Sequence, residues 1–261
     1  FFQIKIQKMS QKKFKILCLN PNTSTDFTSK IKITIDEFLK TNNLSNILSI
    51  TATNPLSGPQ GIECIYDEIL SAKACIEYVL NNNIKYDGIV IACFSDHPIV
   101  YALREILKIP IVGIMESACY NACYVGHKFS IINSSKEWET LLVDGIHKLG
   151  LNNKCSSIRS CRMNVLSLEN NNSKSNNIND KIIQIAKDCV INENVDVIIL
   201  GCAGMTGLTN KFKNDKILKD IVVIDPILAG ISTCFGLIIQ NLKTSKYSIY
   251  SYPKYKPINN M

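Results

Sequence analysis

Asp87-Gly88-Ile89-Val90-Ile91-Ala92-Cys93 and Asp196-Val197-Ile198-Ile199-Leu200-Gly201-Cys202 are two versions of one phrase: an acid, an apolar run rich in β-branched residues, a small residue and a thiol. Each reads as a strand. The echo continues downstream. Twenty-three residues after Cys93, Glu116 closes Ile111-Val112-Gly113-Ile114-Met115, and twenty-three residues after Cys202, Asp225 closes Ile221-Val222-Val223-Ile224. A unit that occurs twice with a thiol at the same strand end implies a duplicated fold and two thiols facing one site.

Outward from these runs, strands and helices alternate. Phe14 to Leu19 reads as a buried strand ending in Asn20-Pro21-Asn22-Thr23-Ser24, a turn with N-cap residues, and a helix follows over 25–39. A strand over 47–52 and a Gly/Pro loop over 54–61 lead into an amphipathic helix with apolar Ile65, Ile69, Ala72, Ile76 and Val79. After Cys93, Pro98 starts a helix through Leu107, then come a strand over 110–115 and a helix over 117–125. The second cycle runs through a strand at 129–132 ending in Asn133-Ser134-Ser135, a helix over 137–149, a strand over 163–168, a polar loop over 170–179, a helix over 180–192, the Cys202 strand, a strand over 221–224 and a helix over 229–242. The two cycles are offset by about 110 residues. The expected fold is α/β: two pseudo-symmetric lobes, each a parallel sheet flanked by helices, with the active site in the cleft between them. The first lobe takes 14–117 plus about 226–247, the second 118–225, and 1–13 and 248–261 are tails. Ligands of open α/β sheets bind at the carboxyl ends of strands, where Asn20, Cys93, Asn133 and Cys202 all fall.

Composition removes several function classes. No apolar run approaches the roughly 20 residues of a membrane span, and Phe1 to Lys15 lacks a secretory apolar core. Met9 is a natural start, which sets Phe1 to Lys8 outside the fold. The net charge of +7 comes from lysines spread along the chain and densest near its ends. That is a solvated surface rather than a basic stripe with aromatic platforms, so neither nucleic acid nor membrane is an expected partner. Eleven cysteines with no secretory signal fit a reducing, cytoplasmic compartment. Cys18, Cys75, Cys189 and Cys234 lie in apolar patterns and read as core. Cys119 and Cys123 share a helix face, for which packing is sufficient reason. No Cys-x-x-Cys or His-x-x-x-His spacing occurs, so no metal is expected.

A helix that begins soon after each of Cys93 and Cys202, at Pro98 and near Thr206, would favour thiolate. An ordinary thiol titrates near about 8.5, so a small downward shift makes a base at neutral pH. One thiolate and one thiol on opposite faces of a planar intermediate invert a carbon without a cofactor. Candidate donors to the developing charge are Phe94 N–H, Ser95, Asn133, Ser134 and Ala203 N–H. His97 either polarises a carbonyl or caps the helix that follows it. No basic residue adjoins either cysteine in sequence. That argues against a substrate with a second carboxylate, which would call for a fixed cation.

The chain resembles the aspartate/glutamate/hydantoin racemase superfamily, and most closely its hydantoin and allantoin racemase branch, from about Lys15 to Lys256. The resemblance rests on Leu17-Cys18-Leu19-Asn20-Pro21-Asn22-Thr23-Ser24, Ser57-Gly58-Pro59-Gln60-Gly61-Ile62-Glu63, Val90-Ile91-Ala92-Cys93-Phe94, Pro110-Ile111-Val112-Gly113-Ile114-Met115-Glu116-Ser117-Ala118 and Leu200-Gly201-Cys202-Ala203-Gly204-Met205. It implies a cofactor-independent isomerase with Cys93 and Cys202 as the two bases. It further implies that Asn20, Phe94, Ser95, Asn133, Ser134 and Ala203 bind the substrate, that the loop from Pro59 to Ile62 helps cover its side chain, and that the protein is a homo-oligomer. Phe94-Ser95-Asp96-His97-Pro98 departs from the family's usual Phe-Gly-Asp-Pro, and Asn133-Ser134 stands where a Thr pair is common. The first departure resembles a eukaryotic, fungal-type subgroup, and both bear on substrate identity. The alternatives are an aspartate/glutamate-type amino-acid racemase and a non-catalytic small-molecule binder. Decarboxylation needs one thiol only, and the intact pair argues against it.

Overall fold

The computed structural model describes residues 13–82, 84–163 and 174–254. The first lobe holds β1 (Phe14–Leu19), α1 (Thr25–Thr41), β2 (Leu48–Thr53), α2 (Ile65–Asn81), β3 (Gly88–Ile91), α3 (Pro98–Ile106) and β4 (Ile111–Gly113). Helix α4 (Ile114–Val125) follows β4 directly. The second lobe holds β5 (Phe129–Asn133), α5 (Glu137–Leu149), β6 (Cys155–Ser160), α6 (Lys174–Glu193), β7 (Val197–Leu200), a 3-10 turn (Ala203–Met205), α7 (Thr209–Phe212) and β8 (Val222–Ile224), and α8 (Pro226–Ile239) returns to the first. The sheets have one topology, β2-β1-β3-β4 and β6-β5-β7-β8, with every pair parallel. The expected α/β architecture of two like lobes is what the chain adopts.

Local chemistry sets the element ends. Ser24 caps α1 by accepting from Phe27 N at 3.1 Å, and Asp225 caps α8 by accepting from Ile227 N and Leu228 N, with Pro226 in its first turn. Gly150, at φ 73°, stops α5 in the left-handed region. Helix α4 lies between the lobes: it packs on α8 and on strands of both sheets, and Ala118, Cys119 and Ala122 are buried there. Cys18, Cys75, Cys189 and Cys234 are buried as expected of core thiols.

The second lobe departs from the sequence reading in its first half. The strand lies at 155–160, whereas one was expected over 163–168; Met163 is in no strand, and 164–168 lie outside the described residues. Strand β6 was missed because it is a polar edge strand. Its Ser157 hydroxyl and Arg159 guanidinium, with Ser130 from β5, converge on the Glu193 carboxylate, so side chains that weaken an apolar pattern are satisfied in place. Helix α6 starts at Lys174, inside the stretch expected to be loop. Glu116 does not close a strand as Asp225 does, because β4 ends at Gly113 and Glu116 sits in the first turn of α4. The chain beyond α8 docks on the first lobe: Thr244 N donates to Lys108 O at 2.9 Å, and Lys246 Nζ donates to the last carbonyls of α3. Among the described residues no helix is long and apolar enough to cross a membrane.

Candidate active site

Register places the site. In the first sheet Leu19 pairs with Ile91, and Ala92 N donates to Leu19 O at 2.8 Å; in the second Ile132 pairs with Leu200, and Gly201 N donates to Ile132 O at 2.7 Å. One residue further, Cys93 and Cys202 leave the carboxyl ends of β3 and β7, beside the Asn20 and Asn133 loops that leave β1 and β5. The two ends face each other across a cleft of about 550 Å³, its open mouth included. Its walls hold Asn20, Cys93, Phe94, Asn133, Ser134, Cys202 and Ala203, all expected from the sequence.

Ser95 is not on that wall. It lies behind Cys93, donating from Oγ to Glu68 Oε1 at 2.6 Å, with Cys93 Sγ 3.5 Å away. Of the expected covering loop only Ile62 lines the cleft. Pro21, Asn22, Phe27, Ala92, Trp138, Leu142, Gly201 and Gly204 complete it and were not foreseen. Trp138 and Leu142 are one turn apart on the inner face of α5, a pattern that reads in sequence as ordinary core.

Neither thiol is lowered as the helix argument expected; burial raises both. Cys93 is pushed well above the usual thiol range, first by burial and then by the Glu68 carboxylate, while the Ser95 hydroxyl pulls it down. Helix α3 gives no relief, since it starts beyond His97 and its Ile99 N–H is spent on His97 Nδ1. Cys202 is raised by burial but opposed by Gly204 N–H, the Lys30 ammonium, the Ser134 hydroxyl and Met205 N–H. The 3-10 turn directly after it holds those amides near the sulphur, with Met205 N also donating to Cys202 O at 3.0 Å. The thiols are also close enough for Cys202 to raise Cys93.

Lys30 corrects the reading that no basic residue adjoins a cysteine. It reaches from α1 to donate to Gly204 O at 2.5 Å, beside Cys202. It supports the thiol's loop from outside the cleft wall; among the described residues no Lys or Arg lines the cleft. Arg104 points away, to Ile111 O and Glu116. His97 is a cap rather than a carbonyl-polarising group. Nδ1 accepts from Ile99 N, so Nε2 carries the proton toward Ser71 Oγ at 2.9 Å, and Ser71 in turn donates to Glu68 O at 3.0 Å.

Two polar atoms of the wall are left over. Asn133 is 1% exposed, and neither its Nδ2 nor its Oδ1 meets a protein partner. A buried amide without partners costs about 1–3 kcal/mol per group, a cost that a ligand presenting one donor and one acceptor side by side would offset. By contrast, Asn20 Nδ2 is committed to its own loop, on Asn22 Oδ1, Ser24 O and Thr28 Oγ1.

Known proteins resemble the chain in sequence and in fold. Residues 16–234 match the Asp/Glu/Hydantoin racemase family. An uncharacterized protein of Schizosaccharomyces pombe is 33% identical over 238 residues, 90% of this chain and 97% of the relative. A hydantoin racemase of a Pseudomonas species is 31% identical over 243 residues, 93% of each. Among solved structures, an allantoin racemase from Klebsiella pneumoniae superposes with a TM-score of 0.85 at 26% identity, covering 95% of this chain and 96% of that one.

Proposed function

Because the chain belongs to the Asp/Glu/hydantoin racemase family, we propose that it inverts the carbon next to a carbonyl in a cyclic ureide, a 5-substituted hydantoin or allantoin, by a two-thiol mechanism without a cofactor. The observation that carries this reading is the placement of Cys93 and Cys202, at equivalent ends of β3 and β7, on two sides of one cleft. One thiolate takes the proton of the reacting carbon. The C–H electron pair moves onto the neighbouring carbonyl as an enolate, and the opposite thiol returns a proton to the other face. One proton leaves, one arrives, and no oxidant or reductant is needed.

The wall supports a ureide over an acidic amino acid. A cyclic ureide presents N–H and C=O side by side, which matches the unpaired Oδ1 and Nδ2 of Asn133. A second carboxylate would need a cation that the wall does not offer. Phe27, Ile62, Trp138 and Leu142 favour an uncharged group on the reacting carbon.

The test is optical-rotation decay of enantiopure L-5-methylhydantoin and (S)-allantoin in D2O, beside an enzyme-free control. The expected result is enzyme-dependent decay with deuterium entering the reacting carbon. Cys93→Ser and Cys202→Ser should each lower the rate by about 10²–10⁴-fold, the usual contribution of a positioned acid or base. Decay that survives both substitutions would refute the two-thiol mechanism. No decay with either compound would refute the substrate class.

A further inference from the structure

Behind Cys93, away from the cleft wall, a carboxyl group is buried with no cation beside it among the described residues. Glu68, on α2, is 8% exposed. Its side-chain contact is with Ser95, whose Oγ also lies against Cys93 Sγ. Ser95 has one hydroxyl proton and two acceptors in reach. With Glu68 ionised, that proton goes to the carboxylate, and the sulphur is best served as a thiol donating to Ser95 Oγ. With Glu68 protonated, the carboxyl donates to Ser95, and the hydroxyl proton turns to the sulphur, where it favours thiolate. Ser95 is thus a rotor through which the charge on Glu68 selects the form of Cys93. The rotor is held in place: His97 donates through Ser71 to the backbone carbonyl of Glu68 itself. The Cys202 side is built the opposite way, with an ammonium, a hydroxyl and two backbone N–H groups around the sulphur.

We propose that Glu68, acting through Ser95, is a positioning residue that keeps Cys93 protonated in the resting enzyme, so that Cys202 is the resting base and Cys93 the resting acid. This division of labour rests on the two-thiol reading above. The groups that face Cys93 agree with it: Glu68 and Cys75 from α2 and Cys202 from the second lobe all disfavour its thiolate. Asp96 bears on Glu68 in the same sense as burial, favouring its neutral form. That leaves the carboxyl able to take up a proton from solvent after Cys93 has given its own to the substrate carbon. On the other side Cys161 faces Cys202, while Lys30 is itself flanked by Lys211 and Asp225.

The test is the pH dependence of iodoacetamide labelling, read separately on the Cys93 and Cys202 peptides by mass spectrometry. In the unmodified protein Cys202 should label with a midpoint at least about one pH unit below that of Cys93, the size of shift a neighbouring charge produces. Glu68→Gln should bring the Cys93 midpoint down by about one unit or more and leave that of Cys202 in place, while Glu68→Asp restores the original order. A merely structural role would move neither midpoint selectively. Cys93 labelling ahead of Cys202, or a Cys93 midpoint unmoved in Glu68→Gln, would overturn the proposal. Should Glu68→Gln not fold, the order in the unmodified protein decides. Labelling needs no turnover, so failure to racemise either ureide would be read apart from this result.

Discussion

Gly201→Ala is the sharpest test of how the backbone positions a thiol. A methyl group at Gly201 would lie 2.7 Å from Ile131 Cγ2 and 2.9 Å from Ile132 O. The side chain can turn away, but the carbonyl cannot, because it accepts from Gly201 N at 2.7 Å. Relief therefore requires β7 and β5 to part by a few tenths of an ångström. Overpacking of this kind costs about 1–3 kcal/mol, and weakening the hydrogen bond adds about 1 kcal/mol. The expected loss of stability is thus about 2–4 kcal/mol, read as a lower urea midpoint. Cys202 is the next residue, so its sulphur moves with the strand end, and misplacement approaching 1 Å costs up to about 10²-fold in kcat. The other lobe supplies the control. Ala92 precedes Cys93, makes the equivalent bond to Leu19 O at 2.8 Å and carries a methyl group there. Ala92→Gly should cost only about 0.5–1 kcal/mol, the backbone-entropy difference of the pair. Gly201→Ala with an unchanged midpoint and an unchanged kcat would refute the argument that backbone approach, and not chance, put glycine before the second thiol.

Three further outcomes follow from the site. Burial holds the His97 ring down to about 3 against an ordinary value of 6.5; the unfolded chain therefore binds this proton first as pH falls. The stability contribution is whole above 6.5 and is lost toward 3, at no more than about 1.4 kcal/mol per unit; urea midpoints between pH 7 and 5 should fall less steeply in His97→Gln than in the unmodified protein. Lys30→Met keeps the apolar stem and removes the charge that lowers Cys202, so the acid limb of the pH profile of kcat/KM should move up by about one unit, and an unmoved limb would remove Lys30 from the account. Asn133→Leu removes the buried unpaired amide; it should raise KM about tenfold or more, since one hydrogen bond to an uncharged partner is worth about 1 kcal/mol and two are lost, while urea stability holds or rises.

How much of this was legible in the sequence depends on how far each signal travels along the chain. Apolar runs closed by a small residue and a thiol are local, and they located β3, β7 and both cysteines. Asn20 and Asn133 were legible for the same reason, as turn residues at the ends of β1 and β5. Strand β6 was not, because Cys155-Ser156-Ser157-Ile158-Arg159-Ser160 owes its place to the Glu193 carboxylate, more than thirty residues away. Lys30 and Gly204 are 174 residues apart, and Glu68 and Ser95 are 27 apart. No spacing rule joins either pair; the packing of one lobe on the other brings Lys30 to Gly204, and the fold of the first lobe brings Glu68 to Ser95. Ser95 was located correctly in the chain but assigned to the wrong side of the sulphur. A residue two positions past a strand end can turn toward the cleft or behind it, and the buried Glu68 decides which.

Likeness of the lobes and unlikeness of their charges serve different requirements of the same chemistry. Inversion needs two groups on opposite faces of one carbon, and the repeated β2-β1-β3-β4 order supplies that by placing Cys93 and Cys202 at equivalent strand ends. It also needs the two groups in complementary protonation states, which repetition cannot supply. Two identical, independent thiols would be mixed, one charged and one neutral, in at most about half of the molecules, and only at the pH equal to their common pKa. On the proposed division of labour, Glu68 behind one thiol and Lys30 behind the other would widen that condition into a pH range in which the mixed state predominates. On the proposed two-thiol mechanism, each turnover from the resting form leaves the less favoured arrangement, thiolate at Cys93 and thiol at Cys202. A carboxyl that burial already inclines toward its neutral form lowers the cost of that arrangement, so that the reverse reaction stays open.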